Sequence, residues 1–90
     1  VNCSREPAKG GFAPEELPGL GDAIAKLAGV RVDGLMTMAA FHEDPADCRP
    51  TFAELRELRN ALRTATGLPL PHLSMGMSHD FEVGVEEGAT

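Results

Sequence analysis

The sequence predicts an α/β fold of order β-α-β-α-β-α with parallel strands, and three observations carry that reading. Apolar runs of strand length alternate with amphipathic helical stretches, as expected of repeated strand–helix units with right-handed crossovers. Connections leaving the C-terminal strand ends, near Arg5 to Ala13 and Ala39 to Arg49, are roughly ten residues long, whereas the returns near Gly29 and from Gly67 to Pro71 are much shorter. Parallel α/β folds build ligand sites from such long loops at the C-terminal strand ends. Three parallel strands also suit a dinucleotide-binding sheet, but no Gly-x-Gly-x-x-Gly turn follows any of them. A segment of a (β/α)8 barrel, filling residues 1–90 as one domain or part of one, is therefore the better reading.

Val1-Asn2-Cys3-Ser4 reads as the end of a first strand. Arg5 to Ala13 is a loop rich in turn formers that brings the amine of Lys9 near the strand ends, where it is expected to be solvated. Pro14-Glu15-Glu16 has the form of a helix start, and a regular helix is expected from about Pro18 to Leu27, burying Leu20, Ile24 and Leu27 and stopping at Gly29. Val30 to Met38 is the second strand; its Leu35-Met36-Thr37-Met38 half is almost continuously apolar, as in a strand covered on both faces. The acids of the loop from Ala39 to Arg49 have no fixed spacing, so they read as a solvated loop rather than a metal site. Pro50 opens the clearest helix, with Phe52, Leu55, Leu58, Leu62 and Ala65 on one stripe and Gly67 as its stop.

The third strand is the most informative stretch. In Leu73-Ser74-Met75-Gly76-Met77-Ser78, Leu73, Met75 and Met77 alternate with small or hydroxylated residues, so one face packs and the other stays small and polar. A short helix should begin near Ser78 or Asp80, with Phe81, Val85 and Ala89 spaced by four. Strand, turn and helix start together suit an anion, because unpaired N–H groups point out there and Gly76 lets a phosphate approach the backbone. An ordinary capped helix after a buried strand explains the same residues. His79 reads as a surface histidine at a helix start, with no ring-stacking partner evident from the sequence.

The segment Leu73–Ser78 with Asp80, Phe81, Glu82 and Glu87-Gly88-Ala89-Thr90 resembles the signature of the pyridoxal-phosphate (PLP) homeostasis proteins, which are similar to the N-terminal barrel of alanine racemase. Gly34-Leu35-Met36-Thr37-Met38, Arg49-Pro50-Thr51-Phe52 with Leu55-Arg56, and Val1-Asn2 with Lys9-Gly10-Gly11 match in family order, so the resemblance spans essentially the whole chain. It implies PLP at the C-terminal mouth of a barrel, with Ser74, Gly76, Met77 and Ser78 near the phosphate and Ser78 the foremost contact. Asn2 would share the polar face of the first strand, and Met36 would line the cofactor pocket, unless it packs in the core. The resemblance further implies that the chain is a piece, with the strand carrying the Schiff-base lysine before Val1 and a final strand after Thr90. A non-catalytic PLP carrier in cofactor homeostasis is the function it implies. A PLP-dependent amino-acid racemase and a barrel scaffold without ligand are the alternatives.

Composition narrows the partners. Eight basic against fourteen acidic residues leave a net charge of -6 without Trp or Tyr, which argues against nucleic acid and anionic membrane surfaces. No apolar run approaches the length of a membrane span. Cys3 and Cys48 have no close-spaced companions, as expected of reduced thiols in a cytoplasmic protein. A partial barrel has open strand edges and an uncovered inner face, so the remainder of its own barrel or other copies of the fragment are expected partners.

Overall fold

The computed structural model describes residues 1–90. Its elements in chain order are α1 (Leu17–Ala25), entered through a 3-10 turn at Pro14–Glu16; β1 (Gly34–Met36); α2 (Arg49–Thr66), entered through a 3-10 turn at Pro45–Cys48; β2 (His72–Ser74); and α3 (Phe81–Glu86). The long helix follows its sequence signals closely. The Asp44 side chain accepts the Ala46 N–H at 3.0 Å to cap the entry turn, and Gly67 closes α2 in a left-handed conformation at φ 74, its N–H bonded to the Arg63 carbonyl. Phe52, Leu55 and Leu62 are its buried stripe.

β1 and β2 pair in parallel, with Gly34 opposite His72, Leu35 opposite Leu73 and Met36 opposite Ser74. Their approach is closest at Gly34, where a β-carbon would lie 2.1 Å from the His72 carbonyl oxygen. Flanking segments extend the pair on both sides. The Val1 main-chain nitrogen donates to the Met36 carbonyl at 2.7 Å, and the buried Thr37 hydroxyl donates to the Val1 carbonyl while receiving the Cys3 N–H. Beyond β2, the Thr90 N–H donates to the Leu73 carbonyl and the Leu73 N–H donates to the Thr90 hydroxyl. The Val1–Cys3 segment, β1, β2 and the end of the chain at Thr90 thus stand side by side in chain order. α2 packs on both strands and on α1 and α3, so the helices form one outer layer. Neighbours in chain order with helices on one side only are the arrangement of a (β/α)8 barrel segment; a doubly wound sheet reverses its strand order and carries helices on both faces.

The two sheet faces differ sharply. Leu73 and Met75 join Phe52, Leu55, Val83, Cys3 and Cys48 in the core under the helices, and both cysteines are free thiols. Met36 and Ser74, paired in register, are exposed on the opposite face.

Several boundaries depart from the sequence expectation. Val1–Ser4 forms no regular strand, because one main-chain bond, from the Val1 nitrogen to the Met36 carbonyl, and two bonds through the Thr37 hydroxyl take the place of a ladder. The expected strand Val30–Met38 shortens to Gly34–Met36; the Asp33 carbonyl still accepts the His72 N–H, but Val30 is exposed and Arg31 pairs with Asp33. The expected strand Leu73–Ser78 ends at Ser74, since Gly76 at φ 107 turns the backbone, and the alternation fails beyond it: Met77 is 56% exposed instead of packed. α1 begins at Leu17 and buries Leu17 and Gly21, while Leu27 lies beyond the helix and exposed. In α3 the expected Phe81–Val85 stripe faces outward; Val83 and Gly84 are buried instead, because a β-carbon at Gly84 would already touch the Met75 carbonyl at 3.1 Å.

Two substitutions test this architecture. Leu55→Ala should cost about 2–5 kcal/mol in urea denaturation, the range for emptying a fully buried leucine site. Gly34→Ala, which adds only a methyl group, should destabilise through loss of β1–β2 pairing, read as faster amide exchange at His72 and Thr37. Unchanged exchange at those amides would contradict the close strand contact.

Candidate functional site at the C-terminal strand ends

The C-terminal end of β1, the first residues of the chain and the Lys9–Gly11 loop enclose a cavity of about 330 Å³ whose lining includes Asn2, Lys9, Gly11, Met36 and Met38. Asn2 and Met36, two residues singled out from the sequence, therefore meet in one hollow. Met36 is 50% exposed toward it, so core packing does not explain this residue. Asn2 also organises the loop. Its Nδ2 donates to the Glu6 and Lys9 carbonyls, and its Oδ1 accepts from the Ser4 hydroxyl.

Lys9 departs from the sequence expectation of a solvated amine. Its Nζ donates to the Ala39 carbonyl at 3.2 Å and the Met38 carbonyl at 3.5 Å, and it pairs with Glu6 Oε1 at 2.7 Å. The free carbonyls just past β1 are what it reaches, so the ammonium is tied to the rim of the cavity. The Lys9 ammonium, foremost through its hydrogen bond, holds the Glu6 carboxyl below the usual carboxylate range. Arg5 anchors the start of the same loop. It adopts φ 60, rare for a residue with a side chain, and its guanidinium forms a two-pronged contact with Glu54 at 2.7 and 2.8 Å.

Ser74, Gly76, Met77 and Ser78 run from the exposed face of β2 around the turn into α3. Ser74 stands beside Met36 in register, whereas Ser78 borders a separate hollow with Pro45, His79 and Glu82. The structure thus splits the sequence-derived set into a cavity group and a turn group joined by the Met36–Ser74 pair. Asp80 builds the turn. Its buried carboxylate accepts the Met77 N–H at 2.6 Å through Oδ1 and the Cys48 thiol at 3.5 Å through Oδ2, while its own N–H bonds back to the Met77 carbonyl. Burial, and then the neighbouring Asp80 carboxylate, push the Cys48 thiol up from its ordinary value. α3 has only six residues, too short for much of a macrodipole, so hydroxyls and main-chain groups of the turn are what an anion would meet.

Sequence reasoning missed Thr37 and the Phe41–His79 pair. A hydroxyl in the apolar run Leu35–Met38 was a signal for the first. The second left none, since the two rings lie 38 positions apart, yet they stack at 5.0 Å between centroids.

With this geometry in view, comparison with known proteins is decisive. A sequence profile of the alanine racemase N-terminal domain matches residues 1–88. The chain belongs to that family. A pyridoxal phosphate homeostasis protein of Aquifex aeolicus is 53% identical over 90 residues, and one of Pseudomonas aeruginosa is 44% identical. The chain is covered completely in both alignments but spans only 40% and 37% of those relatives. Among solved structures, PipY of Synechococcus elongatus with PLP bound superposes over the whole chain at a TM-score of 0.85 and 32% identity, with 42% of PipY covered. A Bifidobacterium adolescentis protein superposes with the same score at 37% identity, with 37% of it covered. Family membership agrees with the single helical layer and chain-ordered segments. No helix in the chain is long and apolar enough to cross a membrane.

The site's outer support can be tested by pH. Glu87, its side chain 12% exposed, bridges Arg49 and Arg56 at 2.6 Å each, tying the end of α3 to α2. Arg49, and then Arg56, hold its carboxyl below the usual carboxylate range. A carboxyl lowered in the folded state stabilises above its unfolded value of about 4.3 and loses that contribution as pH falls through the folded value. Glu87→Gln should therefore destabilise at neutral pH and flatten the acid limb of the stability profile. Parallel acid limbs for wild type and variant would contradict the bridge.

Proposed function

We propose that residues 1–90 form a single-domain fragment of a PLP-binding, non-catalytic protein of cellular PLP homeostasis, with the cofactor held at the C-terminal strand ends. The observation carrying this reading is the open rim itself. In a chain that superposes on PLP-bound PipY, a cavity lined by Asn2 and Met36 adjoins a turn offering the exposed hydroxyls of Ser74 and Ser78 and the glycine backbone of Gly76. These groups fit a phosphoester. Gly76 lets the turn close onto the start of α3, where a β-carbon would meet Phe81 Cα at 3.1 Å, and serine hydroxyls donate hydrogen bonds without adding charge. Met36 and Met77 supply adaptable apolar surface beside a ring. When bound, PLP supplies an aldehyde and an electron-withdrawing ring; this chain's residues bind and orient it.

The exposed inner face and open edges favour the remainder of the same barrel, or other copies of the fragment, as partners. The free, buried cysteines favour a cytoplasmic setting. Lys9 is unsuited to covalent capture, because three oxygen acceptors engage its ammonium and a protonated amine is not a nucleophile.

Titration of PLP into the chain, followed by absorbance and by competition with inorganic phosphate, should show reversible, phosphate-sensitive binding. Ser78→Ala should weaken it several-fold, in line with about 1 kcal/mol for one hydrogen bond. Borohydride treatment with stoichiometric PLP should leave no single modified lysine. A stoichiometric pyridoxyl adduct on Lys9 would make that loop amine functional, and phosphate-insensitive binding would sink the assignment of the serine turn.

A further inference from the structure

The Gly76–Asp80 turn is fastened to the preceding loop, residues 39–48, at two points of different character. One is buried: the Cys48 thiol on the Asp80 carboxylate. The other is exposed. Phe41 stacks on His79 with an interplanar angle of 26°, and His79 Nε2 donates to the His42 carbonyl, so that ring nitrogen carries the hydrogen. We infer that Phe41 and His79 form an outer clasp that sets the position of Ser78, making both of them positioning residues for the phosphate contact. The inference rests on the PLP reading above for its functional half only.

The geometry around Ser78 carries the argument. On one side, the Met77 N–H is fixed by Asp80 Oδ1; on the other, the His79 ring is fixed by Phe41 and the His42 carbonyl. Gly76, in the left-handed region at φ 107, packs its backbone against Phe81, and the Asp80 N–H closes the turn on the Met77 carbonyl, so the inner side of the turn is fixed and the His79 contacts fix its outer side at Ser78. Phe41 is 79% exposed and belongs to a stretch without regular secondary structure. Its contact with His79 therefore holds two irregular segments together and contributes little to the core. The clasp is separable from folding.

An exposed aromatic contact of this kind changes a local equilibrium by about two- to tenfold. Amide exchange at Met77 and Asp80 should accelerate by that factor in Phe41→Ala and in His79→Ala, and by no more in the double variant. His79→Phe, which keeps the stack and loses the bond to the His42 carbonyl, should restore protection in part, to a level between His79→Ala and the wild type, and amides within α2 should exchange as in the wild type. PLP affinity should fall with the same pattern. Identical Met77 and Asp80 exchange in wild type and both single variants overturns the clasp. Accelerated exchange with unchanged PLP affinity overturns the positioning role. If the wild type takes up no PLP while the exchange pattern holds, the PLP reading fails and the clasp stands.

Discussion

The parallel contact between Gly34 and His72 is the constraint on which the rest of the structure depends. No side chain fits there, so the two strands close to backbone distance and the register is fixed by sterics. A one-residue slip would exchange the faces of every following position. With the register set, Leu73 points under α2 and the Met36–Ser74 pair points to the open side. The core on one face and the exposed rim on the other follow from the same glycine.

Charge is used to place loops. Three of the ion pairs join segments distant in sequence: Arg5 with Glu54, and Arg49 and Arg56 with Glu87. An exposed pair such as Arg5–Glu54 is individually weak. The value of these pairs lies in geometry. Arg5 sets where the first long loop departs, Lys9 ties its middle to the end of β1, and Glu87 fixes the end of the last helix against α2. The cavity wall and the serine turn are each braced by a pair outside them.

The parts legible in the sequence were those governed by local chemistry. The stripe of Phe52, Leu55 and Leu62, the entry at Pro50 and the stop at Gly67 all specify α2, because a long amphipathic helix encodes both its ends and its buried face. Strand limits were less legible, since each strand extends only as far as its partner reaches. Val30 and Val32 have the pattern of a strand and no neighbour to pair with. Met77 continues the alternation of Leu73 and Met75 on paper, but the turn at Gly76 removes it from the face they share. At the site, Asn2, Met36 and the serine turn were readable as motif residues, and their division between cavity and turn was not. That division depends on loop paths, as do the engagement of Lys9 by main-chain carbonyls and the stacking of Phe41 on His79.

The loop from α2 to β2 holds one further consequence, at Leu70. This residue is fully buried and adopts φ 40, a left-handed conformation in which glycine would be unstrained. Such a backbone costs a residue with a side chain about 1–3 kcal/mol. Removing the buried leucine side chain costs about 2–5 kcal/mol even when a methyl group is left behind. Burial outweighs strain, which is why a leucine persists where local conformational preference alone selects glycine. A redesign guided by backbone preference would replace it and lose stability, and a β-branched residue would keep the volume while deepening the strain. Leu70 is thus held by its neighbours against its own backbone, a conflict between local and global preference resolved in favour of packing.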